Sequence, residues 1–422
     1  MLRRTSFQHL FLVLVFGLAA GYSFVKPQRD SRSDSLSRQA VITNQPVTTI
    51  PVEIPSYGII FLKAQINNSD PMWFALDSGA SLPFIINRSK LESLKLKADS
   101  EVEGGGGAGE GSYKVQIMRN VSVALPGLAL QQQPLAAIDL STIETLAGRR
   151  LDGLVGVSLF HKFIVEIDYA AQRVNLFDPR NYRYSGTGEV LPLIVEGNYL
   201  LVRATVELSP QTSVSGKFLL DTGGGLVTAV LTTPFVKSEN VRAHLKKTIQ
   251  DDSLSALGGD IKVHVGRPFA LKLGTHTISQ PILYLSQNNS GALASADYDG
   301  VIGAEVLKRF RVIFDYSRRQ LILERNAHFS DASEYNKTGI SVRATGDSFK
   351  VFTVYQVMTD SPGFEVGVRK GDVIVQINER PAAEFVLDDI YRLFKESTGV
   401  IRLTLTRGRE IVKANIKPRL LI

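Results

Sequence analysis

The stretch FALDSGAS, Phe74 to Ser81, carries an aspartate out of an apolar run and follows it with a hydroxyl residue, a glycine and two small residues. A carboxylate at the end of a buried strand is costly to desolvate, and a turn can be made without one. An Asx-type turn, in which the aspartate caps its own backbone and the glycine supplies a permissive dihedral, is the plain explanation for one such turn. A second stretch, FLLDTGGG, Phe218 to Gly225, repeats the order aromatic, apolar, Leu, Asp, hydroxyl residue, Gly.

A second landmark accompanies each aspartate turn. LDGLVGVSLFHKFIVEIDYAAQRVNLF from Leu151 aligns with YDGVIGAEVLKRFRVIFDYSRRQLILE from Tyr298. Asp152 matches Asp299 and Gly156 matches Gly303, an offset of 147 in both cases (299 − 152, 303 − 156). The aspartate turns lie 144 apart (221 − 77). Two motifs in the same order at nearly the same spacing indicate an internal duplication.

Each copy reads as β-structure. The runs GIIFLKAQI and YLLVRATVEL are strand-like, and each precedes the apolar strand that enters an aspartate turn. KVQIM with VSVAL, and IKVHV with FALKL, follow. Each copy then closes with a D-G-apolar-apolar-G run, a short helical stretch and a hairpin. Between these landmarks the first copy carries the glycine-rich EVEGGGGAGEGSYK, in which Gly104, Gly105, Gly106, Gly107 and Gly109 suit a hairpin tip that moves over a cleft. The counterpart in the second copy is weaker, around Gly258 and Gly259. No G-K-[ST] follows the glycines, so they do not form a phosphate-binding loop.

Two copies packed about a pseudo-twofold axis bring Asp77 and Asp221 to one site. Paired carboxylates at hydrogen-bonding distance cannot both ionise cheaply, so they hold one proton between them. One can then activate a water as general base while the protonated partner hydrogen-bonds a carbonyl. Ser78 and Thr222 are placed to bond the opposite turn's backbone, and Gly79 and Gly223 to let backbone N–H groups approach the carboxylates.

Residues 57–180 and 197–325 each resemble a retropepsin-type aspartic protease lobe, through FALDSGAS with DGLVG and FLLDTGGG with DGVIG. The resemblance implies a mainly β fold: two retropepsin-like β-barrel lobes forming a bilobal aspartic protease, with Asp77 and Asp221 as catalytic residues and the two glycine segments as flaps. It implies an endopeptidase acting on a peptide or protein substrate without cofactor or metal. Gly224 and Gly225 stand where the family has larger residues, which implies looser support around Asp221. The alternative is a protease fold that binds peptides with weak or no catalysis.

Farther on, S-P-G-x-x-x-G-V-x-x-G-D-V-I-V-x-I-N, Ser361 to Asn378, resembles a bacterial-type PDZ domain, a small α+β module spanning about residues 337–420. That resemblance implies binding of an extended, C-terminal peptide ligand at a sheet edge, for substrate recruitment or regulation. Ser348 to Val351 is the expected neighbourhood of its carboxylate loop.

Composition narrows the remaining classes. There are 48 Lys and Arg against 41 Asp and Glu, scattered as singles and doublets, which argues against a nucleic-acid partner. The absence of cysteine excludes disulfides and thiolate chemistry, and six histidines without ligand spacing offer no metal site. Arg3 and Arg4 precede an apolar run over residues 9–25, which reads as an export signal or membrane anchor and places the protein outside the cytoplasmic membrane, periplasmic or extracellular. The expected organisation is residues 1–25 signal or anchor, 26–46 flexible linker, 47–182 first lobe, 183–328 second lobe, 329–336 linker and 337–422 PDZ domain. With both lobes in one chain the protein reads as a monomer, a homodimer with lobes paired between chains being the alternative.

Overall fold

The computed structural model describes residues 45–105 and 107–422. The expected signal or anchor and nearly all of the first linker lie outside the described residues, as does Gly106. Among the described residues no helix is long and apolar enough to cross a membrane.

The molecule is mainly β, and the duplication is visible in its sheets. In the first lobe the strand Met72–Leu76, which delivers Asp77, runs parallel to Gly153–Val155, and that short strand pairs antiparallel with Phe84–Asn87. In the second lobe Thr212–Leu220, which delivers Asp221, runs parallel to Gly300–Ile302, itself antiparallel to Ala229–Leu231. Register explains the recurring motif. Phe74 pairs with Gly153 and Phe218 with Gly300, and a Cβ on either glycine would fall within 2.3 or 2.7 Å of a ring atom of that phenylalanine. The glycine of each D-G pair therefore makes room for the aromatic ring that starts each aspartate strand. The preceding aspartates serve the backbone: the N–H of Trp73 donates to Asp152 at 2.8 Å, and the N–H of Lys217 to Asp299 at 2.7 Å.

A third sheet ties the copies together. Its order is Thr48–Pro51, Arg173–Phe177, Ile164–Asp168, Phe310–Asp315, Gln320–Arg325 and Glu189–Pro192. The closing hairpin of each lobe supplies two strands, and they join where Val165 pairs with Phe314 and Ile167 with Val312. The main apolar core is continuous across both lobes, with Phe74, Phe84, Phe160, Phe218, Phe310 and Phe314 fully buried. Each such side chain contributes about 1.5–3 kcal/mol by leaving water.

The segment expected as a linker is fastened to the second lobe. Buried Arg309 donates to the carbonyls of Phe329 and Asp331 and to Ser333, and Tyr335 donates to Asp251 at 2.6 Å. The C-terminal module then forms its own core of strands Ile340–Thr345, Val351–Val357, Val373–Ile377, Ile401–Arg407 and Glu410–Ile416 with helix Leu387–Glu396. Residues 348–351 fall in the hairpin between the first two of these strands. The helix follows from its pattern: Leu387, Ile390 and Phe394 bury one face, and Asp389 bonds back to the N–H of Val386 to cap its start.

Candidate active site

Both aspartate turns begin the same way. The N–H of Asp77 donates to Val155 O and that of Asp221 to Ile302 O, each at 2.9 Å, so the parallel strand fixes where each side chain leaves the sheet. The chain then doubles back over its own carboxylate. Asp77 Oδ1 accepts from the N–H of Gly79 at 2.8 Å and of Ala80 at 3.1 Å, and Asp221 Oδ1 accepts from Gly223 at 2.8 Å.

The two turns are locked to each other by a reciprocal set of bonds. Ser78 Oγ donates to Leu220 O at 2.7 Å and accepts from the N–H of Thr222 at 3.0 Å. Thr222 Oγ1 donates to Leu76 O at 2.8 Å and accepts from the N–H of Ser78 at 2.9 Å. Asp77, Ser78, Asp221 and Thr222 are all buried.

Asp77 and Asp221 are thereby brought within hydrogen-bonding reach of each other, and both carboxyls are held above the usual carboxylate range. Burial is the main cause for both; the neighbouring charge of Asp221 adds to it on Asp77. The hydrogen bond from Asp77 works the other way on Asp221, which is raised only to about 6. The pair therefore passes through a singly protonated state. Oδ2 of each aspartate is buried and has no hydrogen-bond partner among the described residues. These two oxygens are the ones left to engage a reacting group.

Glycine is required at Gly223. A Cβ on Gly223 would lie 2.7 Å from Asp77 Cγ. At Gly225 the turn is not loosely packed as the sequence suggests. A Cβ on Gly225 would meet Ile59 at 2.7 Å, and the N–H of Leu226 donates to Tyr57 O at 3.1 Å, so residues of the first lobe fill the space.

The two glycine segments meet each other at their tips. In the first lobe Gly104 and Gly105 end the strand Ser100–Gly105, opposite Ser112–Leu125. In the second lobe Thr248–Ala256 and Gly259–Gly266 form a complete hairpin turning at Leu257 and Gly258, both of which, with Gly259, serve its tip. The tips bond to each other: the N–H of Gly109 donates to Leu257 O at 3.1 Å and that of Gly111 to Gly258 O at 2.8 Å. A Cβ on Gly107 would stand 1.6 Å from Leu257 O, so only glycine permits this approach.

Several contributors carry no signal of their own in the sequence. Leu76 and Leu220 act through carbonyls. Asn288, which donates to Ala108 O at 2.6 Å, binds the first-lobe tip from the second lobe. Glu305 is different, because it breaks the repeat: the matching position in the first copy is Ser158 (305 − 147). Glu305 is buried and pairs with Lys308 at 2.9 Å and with Lys395 of the C-terminal module at 3.2 Å.

Comparison with known families assigns the two ends of the chain. Residues 62–159 match the aspartyl protease family model, and residues 329–406 match the PDZ domain model. No curated protein matches the chain. The protein thus contains an aspartyl protease-like domain and a C-terminal PDZ domain; the first match includes Asp77 and stops before Asp221.

Proposed function

We propose that the protein is an aspartic endopeptidase that hydrolyses peptide bonds through a water activated by the Asp77–Asp221 pair. The observation that carries this reading is the two-way clamp of Ser78 and Thr222, which holds two raised, facing carboxyls with one free oxygen each. In the singly protonated state the ionised carboxylate removes a proton from water as it attacks the scissile carbonyl, and the protonated partner hydrogen-bonds the carbonyl oxygen. The C–N bond then breaks as the amine takes up a proton from the pair. Exclusion of solvent by the closed tips strengthens each of these interactions.

Substrate is an extended peptide segment lying beneath the hairpin tips. The PDZ domain recruits peptides or regulates the site, the N-terminal run exports or anchors the protein, and one chain is catalytically sufficient because both aspartates belong to it. The test is cleavage of a diverse peptide mixture by residues 45–422 beside Asp77→Asn and Asp221→Asn. Cuts made by wild type and lost in both variants support the reading. A folded protein that cuts nothing at any pH is instead a peptide-binding protein of the same fold.

A further inference from the structure

The PDZ domain is packed against both protease lobes, and its contacts fall on two working parts. On one side, strand Val351–Val357 reaches the second-lobe hairpin proposed as a flap. Tyr355 donates to Asp260 at 2.5 Å, Ser255 donates to the same carboxylate oxygen at 2.6 Å, and Arg343 donates to Ser255 Oγ at 2.8 Å while its guanidinium lies 3.4 Å above the Tyr355 ring. Ser255 and Asp260 flank the hairpin tip and face each other in register.

On the other side, the helix Ser141–Ala147 of the first lobe packs on strand Ile340–Thr345, an edge of the PDZ sheet. Tyr391, on the PDZ helix, donates to Leu146 O at 3.2 Å and to Val342 O at 3.1 Å, stitching lobe, edge strand and helix together. Gly148, just beyond that first-lobe helix, sits so close to Leu387 that a Cβ would be 2.4 Å from it. The surface between the edge strand and the PDZ helix is thus occupied by the protein's own first lobe. Between these contacts a cavity of about 780 Å³ runs from Gly223, beside the Asp77 carboxylate, to Tyr355 and Met358 of the PDZ domain.

From these contacts we infer that the PDZ domain is a latch on the second-lobe hairpin, released when an extended peptide takes the Ile340–Thr345 edge in place of helix Ser141–Ala147. The inference rests on the peptidase reading for its consequence, control of cleavage, and not for the latch itself. An extended peptide adds to a sheet edge by main-chain bonds, and this edge cannot accept one while the first-lobe helix covers it. The domain is one packed body, so lifting it from the helix also withdraws Arg343 and Tyr355 from Ser255 and Asp260. Partly exposed polar contacts of this kind are individually weak, which suits a reversible latch. With the latch released, the outer end of the hairpin is held by its tip contacts, while Tyr335 on Asp251 and the pairing with Leu283–Ser286 keep its base in place, and the cavity opens toward the aspartates.

Hydrogen exchange of the whole described protein tests this with and without activity. Tyr355→Phe removes one oxygen and leaves the ring beneath Arg343, so folding is not at stake; Asp260→Asn attacks the same contact from the hairpin side. Either should raise amide exchange over residues 250–262 about five- to tenfold. Tyr391→Phe, remote from the hairpin, should do the same, because it loosens the domain as a unit. Unchanged exchange at 250–262 in the first two variants, or a Tyr391→Phe effect confined to residues 141–148, overturns the latch. Faster exchange accompanied by faster peptide cleavage supports it fully. Faster exchange in an active enzyme whose cleavage rate does not move overturns the control of cleavage. Faster exchange with no cleavage by any form, wild type included, upholds the latch and removes the peptidase reading.

Discussion

The backbone N–H of Ser78 donates to Thr222 Oγ1 at 2.9 Å, and the N–H of Thr222 donates to Ser78 Oγ at 3.0 Å. Residues 144 apart (222 − 78) thus satisfy each other's buried polar groups, and their carboxylate-bearing neighbours have no freedom to separate. A buried bond of this kind contributes about 0.5–1.5 kcal/mol, and leaving its partner unsatisfied costs about 1–3 kcal/mol.

Ser78→Ala and Thr222→Ala should each destabilise the fold by about 2–3 kcal/mol, since each removes one donor and one acceptor from the clamp. The double variant should cost less than the sum, by at least about 0.5 kcal/mol, because the groups are mutual partners. Urea unfolding of the four proteins measures the coupling; strict additivity would show that the two hydroxyls act independently.

The dyad should impose a definite pH dependence on hydrolysis. Both carboxyls are raised, Asp221 to about 6, so the pair gives up its first proton well above the ordinary carboxylate range and holds the second to higher pH. Activity should therefore rise as pH increases through about 6 and persist toward neutrality, falling only when the second proton leaves. A profile of kcat/KM that peaks well below pH 5 would contradict a pair held above the usual carboxylate range.

Stability should run the opposite way. A carboxyl raised in the folded state stabilises the protein fully below its unfolded value near 3.9, and that contribution is lost as pH rises through the folded value. Between pH 4 and 6 the native protein holds more protons at this site than the unfolded chain, so its Tm should decline. Asp221→Asn should flatten the decline, and calorimetry across that range reads the difference.

Gly225→Ala should cost about 1–3 kcal/mol, because its methyl group would press on Ile59. Ile59→Val removes a methylene from the opposing side and should recover part of that loss in the double variant. Thermal melts of the two single variants and the pair decide whether the contact is as tight as the structure has it.

Glu305 should anchor the PDZ domain. Burial alone would raise its carboxyl, but Lys395 and Lys308 outweigh that and hold it below the ordinary value. Glu305→Ala leaves the half-buried Lys308 and Lys395 without their shared partner and should cost about 3 kcal/mol. The wild-type contribution is present above the unfolded value near 4.3 and is lost as pH falls below it. Small-angle scattering of Glu305→Ala should show a larger radius of gyration than wild type.

The sequence by itself determined the duplication, the strand periodicity, the two aspartate turns and the C-terminal module, because each is written in residues close along the chain. Alternation, turn chemistry and D-G spacing are local signals, and two copies of the same order point to one fold used twice. Glu305 stands where the first copy has Ser158, but nothing local along the chain marks its pairing with Lys395. Only the tertiary structure decided what distant backbone and side chains do together. The Leu76 and Leu220 carbonyls, the join of Ile167 to Val312, the bond of Gly109 to Leu257 and the seating of Tyr391 on Leu146 all link residues more than a hundred positions apart. Such pairings depend on the path of the whole chain and on steric fit at each contact. Residue type and spacing encode the turns, whereas the meeting of those turns is settled by packing.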